Sequence, residues 1–154
     1  MPDLYVMVAL PRSGKSTYVT EHFGHLVKVS ADQLRLLIYG QRFLAEREAE
    51  VWHVREIMLR ALMEQQLDIV IDETNTTRKS RKPILKIAGQ YGYRKKAIVI
   101  HTDIETCKRR AVETGQEDLI PVIVKMAEHF EEIAENEGFD EVQQVDLRSC
   151  LKKV

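Results

Sequence analysis

Cysteine is scarce in this chain: Cys107 and Cys150 are the only two. They lie far apart and fit no metal spacing. A disulfide framework and a cysteine zinc site are therefore excluded, and reduced thiols are expected. His22, His25, His53, His101 and His129 fall into no ligand pattern either, and each reads as a surface or packing residue. Aromatic residues make up 6%, with a single tryptophan. That leaves few rings on which an extended nucleic acid can stack. Four prolines and seven glycines are too few for a proline-rich or glycine-rich linker. No apolar run nears the ~20 residues of a membrane helix. The Met-Pro-Asp start lacks the basic region of a signal peptide, so a cytoplasmic protein without membrane contact is expected. Neither sign of charge dominates: 23 basic residues face 24 acidic ones.

What is present suits one compact domain over residues 1–154. The charge is unevenly placed. From Thr76 to Arg110 the chain carries Arg78, Lys79, Arg81, Lys82, Lys86, Arg94, Lys95, Lys96, Lys108, Arg109 and Arg110 against only Asp103 and Glu105. From Glu128 to Asp146 it carries acids and no Lys or Arg. Such asymmetry can build a basic surface on a nearly neutral protein. Solvated helix faces are the competing account.

Short valine-rich and isoleucine-rich runs alternate with helical patterns. Strands are expected at Leu4–Ala9, Leu26–Val29, Asp68–Asp72, Lys96–Ile100 and Glu141–Val145. Helices are expected from Lys15, from a capping box at Ser30 and Gln33, over Ala45–Gln66, from Thr77 or Ser80, and after Asp103. Thr114–Ile120 reads as a polar loop, Pro121 opens a helix at its first position, and Gly138 stops it. This alternation predicts an α/β fold with a central parallel sheet.

The first strand ends in "VALPRSGKST", residues 8–17. A phosphate-binding loop reads G-x-x-x-x-G-K-[ST] between a strand and a helix. Gly14, Lys15 and Ser16 are in place, whereas Ala9 and Arg12 stand where glycines are common. Ala9, Arg12, Ser13, Gly14, Lys15, Ser16 and Thr17 are the candidate nucleotide-binding residues. Their amides and the helix N-terminus would cradle phosphate. Lys15 would bridge the β- and γ-phosphates, and the Ser16 hydroxyl would hold Mg²⁺. Ala9 fits if its φ is negative. Arg12 adopts ordinary backbone geometry or carries strain at positive φ.

Three further stretches carry chemistry. Asp72-Glu73-Thr74-Asn75 ends an apolar strand, at the sheet edge where ligands bind. Asp72 there can orient Mg²⁺, while a plain Asp/Asn turn competes for Asn75. Asp32 and Arg35 share a helix face: Asp32 can accept a proton from an attacking hydroxyl, and Arg35 can hold a phosphate. The bland alternative is an acid complementing the helix dipole beside a solvated arginine. Lys108-Arg109-Arg110, before the polar loop, can supply lid cations that stabilise a transferring phosphoryl group.

In this order, "ALPRSGKST", "VSADQLR", "IDETNTTRKSR", "CKRR" and "EGFDEV" resemble the kinase domain of phage-type polynucleotide 5′-hydroxyl kinases, over nearly the whole chain. The resemblance implies a three-layer P-loop kinase fold of the adenylate-kinase type, with ATP as donor and Mg²⁺ as cofactor. It implies Asp32 as general base, Arg35 as a phosphate contact, and Asp72, Thr74 and Asn75 as the strand-end turn. The implied partner is a nucleic-acid 5′ end; no protein partner is inferred. The basic stretch after Asn75 puts Arg78, Lys79, Arg81 and Lys82 along its approach, unless Arg78 and Arg81 instead hold the Asp72 turn together. Two features depart from the family pattern. Two P-loop glycines are replaced, and the lid arginines Arg109 and Arg110 are adjacent, with Glu113 or Thr114 where the second is expected. A small-molecule kinase and a non-catalytic nucleotide-binding module are the alternatives.

Overall fold

The computed structural model describes residues 1–42 and 45–148; Cys150 lies outside them. Strand β1 (Asp3–Val8) leads to helix α1 (Lys15–Phe23), β2 (Val27–Val29) and α2 (Ala31–Tyr39). A 3-10 turn (Ala45–Arg47) opens α3 (Glu48–Glu64), followed by β3 (Ile69–Ile71), α4 (Arg78–Gln90) and β4 (Arg94–His101). Helix α5 (Ile104–Glu113), a second 3-10 turn (Glu117–Leu119), α6 (Ile120–Glu128) and β5 (Glu141–Asp146) complete the order. The five strands are all parallel, in the order β2-β3-β1-β4-β5.

Strand alternation sorts the core into two faces. Leu4 and Val6 pack with Val29, Ile69 and Ile71 under α3 (Leu59, Met63) and α4 (Ile84, Ile87). Met7 and Ala9 pack with Val70, Ile98 and Ile100 under α1 (Val19). Helices therefore cover both faces of a parallel sheet, the three-layer architecture expected. The chain runs from central β1 outward to β2, returns through β3, and crosses to β4. That reversal places the crevice at the carboxyl ends of the strands.

Local signals position the helices as read. The Ser30 side chain accepts from the Gln33 N–H at α2, and Thr77 with Ser80 makes a full capping box at α4. Asp103 occupies the cap position of α5 without a side-chain cap bond. Pro121 lies within the first turn of α6, after Ile120.

Two boundaries differ. The expected loop Thr114–Ile120 holds a 3-10 turn over Glu117–Leu119 and gives Ile120 to α6. Helix α6 ends at Glu128, ten residues before Gly138, because tertiary contacts outweigh the local pattern. The Glu131 N–H donates to the Thr76 carbonyl at 2.8 Å. Glu137 meanwhile accepts from Arg81. The irregular segment 129–140 thus lies against the start of α4 instead of continuing as helix.

That contact corrects the expectation for Arg81. Its guanidinium is fully buried, paired with Glu137, and donates from Nη1 to the Asn75 carbonyl at 2.9 Å. It cannot meet an acceptor. Replacing Arg81 by Met strands the Glu137 carboxylate, whose side chain is also buried. We expect a loss of about 3–5 kcal/mol, measured by urea unfolding. Glu137→Leu added to Arg81→Met should restore most of it.

Candidate active site

The P-loop spans the end of β1 and the start of α1. Ala9 is buried, its φ is not positive, and its N–H donates to the Thr74 carbonyl at 2.9 Å. The loop is thereby stitched to the chain leaving β3. Arg12 takes a φ of 62°, the strained alternative for a side chain in a glycine position. Gly14 has a φ of 97°. A Cβ there would come within 3.3 Å of the Leu147 side chain and 3.5 Å of an Arg110 guanidinium nitrogen. The Thr102 hydroxyl fixes the Ser13 carbonyl at 2.7 Å. Arg12 Nε and Ser13 Oγ are buried without hydrogen-bond partners. Unpaired donors beside a glycine cradle at a helix N-terminus suit an anion such as a nucleotide phosphate.

Lys15 crosses to the end of β3, where its Nζ donates to Asp72 Oδ1 at 2.5 Å. The Ser16 hydroxyl donates to Asp72 Oδ2 at 3.3 Å. A hydroxyl and a carboxylate side by side are an oxygen donor set that a hard cation accepts. Thr17 follows, exposed, on the same cleft.

The cleft is ≈ 2410 Å³, well above the about 300–1,000 Å³ of a single small-ligand pocket. Its walls include the P-loop, Asp32 and Arg35 of α2, Thr74, and parts of α3, α4 and α6. Asp32 is 71% exposed at its side chain. Arg35 Nη1 donates to it at 2.7 Å, while Nε and Nη2 of Arg35 grip Glu48 at 2.9 and 2.6 Å. Burial opposes the Arg35 charge, but Glu48 and Asp32 outweigh it and hold its pKa above the ordinary arginine value. In this geometry Arg35 positions a carboxylate; its three named bonds all go to acids.

Other predicted residues separate. Arg110 lines the cleft and donates to the Arg12 carbonyl at 3.3 Å. Arg109, 100° around the same helix, is exposed beside Glu113 and lies off the cleft. Of the two arginines expected in the lid, only Arg110 faces the cleft. Asn75 is buried at a φ of 46° and donates to the Met7 carbonyl at 3.0 Å. It ties β1 to the strand-end turn, and the residue also lines the cleft. Arg78 is exposed outside the cleft. The helical turn presents Lys79, Lys82 and Lys86 there instead.

Four residues of this wall were not assigned from sequence: Glu48, Trp52, Arg55 and Glu73. Glu73 is buried; its Oε2 accepts from the Ala31 N–H at 3.0 Å and its Oε1 pairs with Arg55. Burial raises the Glu73 pKa, with Arg55 pulling it back. Arg55 in turn lies 4.4 Å from the Trp52 ring centroid. A signal did exist: Arg55 interrupts the buried stripe Val51-Arg55-Leu59-Met63 of α3. A charge on a buried stripe demands a buried partner.

Comparisons with known proteins bear on the fold. Two structures of the Pnkp1/Rnl/Hen1 complex, an RNA repair complex, each contain a chain similar to this one. TM-scores are 0.62 and 0.66 at 22% and 20% identity, over 90% and 84% of this chain. This chain spans 43% and 46% of the length of those chains. A structure from the PezAT toxin-antitoxin system of Streptococcus pneumoniae matches with a TM-score of 0.75 at 17% identity, over 96% of this chain and 69% of the other. The Mycobacterium tuberculosis APS kinase CysC, solved with AMPPNP and APS, matches at 0.59 and 16%, over 93% and 88%. The fold is thus that of P-loop kinases. A family model described as an AAA domain matches residues 4–133, and the chain belongs to that family.

Proposed function

We propose that this chain is an ATP- and Mg²⁺-dependent kinase that phosphorylates the 5′-hydroxyl of a nucleic acid. One observation carries the kinase reading. An exposed carboxylate, Asp32, shares a cleft with the P-loop lysine and is held at 2.7 Å by an anchored arginine. A module that only binds nucleotide has no use for such a base.

ATP supplies the phosphoryl group, and Ser16 with Asp72 would hold Mg²⁺. Lys15, the loop amides and Arg110 would bind and orient the phosphates. Asp32 takes the proton of the acceptor hydroxyl as its oxygen bonds to the γ-phosphorus. The bond to the β–γ bridging oxygen breaks, and ADP leaves. Glu73 acts at one remove: by accepting the Ala31 N–H it fixes the start of α2 on which Asp32 rides.

The basic wall of α4 supports a nucleic-acid acceptor over a metabolite; the neighbours include both an RNA repair complex and an APS kinase and so favour neither. The test is transfer of labelled γ-phosphate to 5′-OH DNA, 5′-OH RNA and a panel of nucleosides and small hydroxyl metabolites. Label on the oligonucleotide 5′ end is expected. Label only on small acceptors would move the reading to a metabolite kinase. Nucleotide binding with no transfer to any acceptor would leave a binding module.

A further inference from the structure

The two charged stretches of the sequence face each other, and most of the basic one is spent. Arg81 pairs with Glu137, Lys95 approaches Asp140 at 3.9 Å, and Lys96 approaches Asp3 at 3.3 Å and Glu141 at 3.8 Å. Most acids around the cleft are likewise held: Asp32 and Glu48 by Arg35, Glu73 by Arg55, Glu56 by Arg60, Asp118 by Arg42; Glu21 has no ion pair among the described residues. Among the described residues, Lys79, Lys82 and Lys86 have no ion-pair partner. All three are exposed and line the cleft. Their spacing of three and four puts them on one face of α4, spanning about 10 Å along its axis. At the far end of this wall Arg60 bridges α3 to α4 by donating to the Gln90 side chain at 2.8 Å.

We propose that this lysine row is a binding track for the sugar–phosphate backbone of a single-stranded nucleic acid, which leads away from a 5′ end at Asp32. The polynucleotide reading above is its premise. Three unpaired ammonium groups at nearly regular spacing suit a flexible polyanion, whereas a lone metabolite phosphate needs one site. The row continues from the strand-end turn, since Thr74, Thr76 and Thr77 line the same cleft.

The experiment measures binding of a fluorescent ten-residue single strand by anisotropy across a salt series. It compares wild type with Lys79→Glu/Lys82→Glu/Lys86→Glu, with melting as a fold control and poly-glutamate as competitor. Wild-type affinity should fall with salt. The triple variant should bind roughly tenfold or more weakly, with a salt slope reduced by about 2, since each neutralised phosphate on a single strand contributes ~0.7. Its melting temperature should match wild type, because all three side chains are exposed. Unchanged affinity and slope in the variant would overturn the track, as would equal competition by poly-glutamate, which would mark a general polyanion surface. The transfer assay separates the two readings. A strand that binds through the lysines yet receives no phosphate sinks the kinase acceptor assignment and keeps the track. Phosphorylation with wild-type KM in the triple variant does the reverse.

Discussion

Lys15→Ala should lose about 10³-fold or more in turnover, the scale of removing a main electrostatic contact to a transferring group. It should also melt earlier, which the P-loop motif alone does not suggest. Lys15 and Asp72 are close-packed partners, with side chains only 11% and 6% exposed. Removing the cation leaves Asp72 facing the Ser16 hydroxyl alone. Stranding a carboxylate at that burial costs about 3–5 kcal/mol, on the order of 10 °C for a chain of this size. A double variant, Lys15→Met/Asp72→Asn, removes both charges and should recover most of the melting temperature. Turnover should not recover, because the phosphate contact is still absent. Stability and activity then separate in two measurements. A Lys15→Ala protein with full turnover would overturn the nucleotide-binding role of the loop.

The same pair shows how far the sequence reaches. The P-loop was legible because its signal is local: a strand, a turn with Gly14, then a helix within a few residues. The Ser30–Gln33 cap and the Thr77 cap were legible for the same reason, and the two caps place Asp32 and α4 at one sheet edge. Arg81 was legible only as the alternative, a residue holding the strand-end turn. On paper it belongs to a basic run, and its burial depends on Glu137, 56 residues away, in a segment whose composition reads as helix. The early end of α6 and the burial of Arg81 are one event, since segment 129–140 leaves its helix to cover Arg81 and Thr76. The Asn75 bond to β1 was hidden for a related reason. A D-x-T-N turn looks alike whether its amide faces a ligand or, as here, the Met7 carbonyl. The arginine pair Arg109-Arg110 was misread for a simpler cause: adjacent residues on a helix diverge by 100°, so only one can face the loop. The Arg55–Glu73 pair could have been found, because a charge inside an apolar stripe is visible in sequence. Its partner could not be named without the fold.

Asp32→Asn should lower kcat by about 10²–10⁴-fold, the usual contribution of a positioned general base, and leave nucleotide affinity and melting unchanged. The stability half follows from exposure. With 71% of its side chain in solvent, Asp32 contributes little to the fold, and Arg35 stays anchored on Glu48 through two nitrogens. The kinetic half follows from what the substitution removes. Asparagine keeps the size and still accepts from Arg35, so the acceptor hydroxyl should bind as before and KM should hold. What is lost is the basicity that takes up the hydroxyl proton as the phosphorus–oxygen bond forms. A loss confined to kcat therefore marks proton acceptance, whereas a loss confined to KM would make Asp32 a docking contact. If neither parameter moves, Asp32 is an acid that complements the α2 dipole, and the base must be sought among the other carboxylates of the cleft. Glu48 and Glu73 are poor substitutes there. Glu48 is taken up by Arg35, and Glu73 is buried with its oxygens on Arg55 and the Ala31 N–H. The Asp32 variant thus tests more than one residue: it decides whether the exposed carboxylate that singles out this cleft is the group that makes it a kinase.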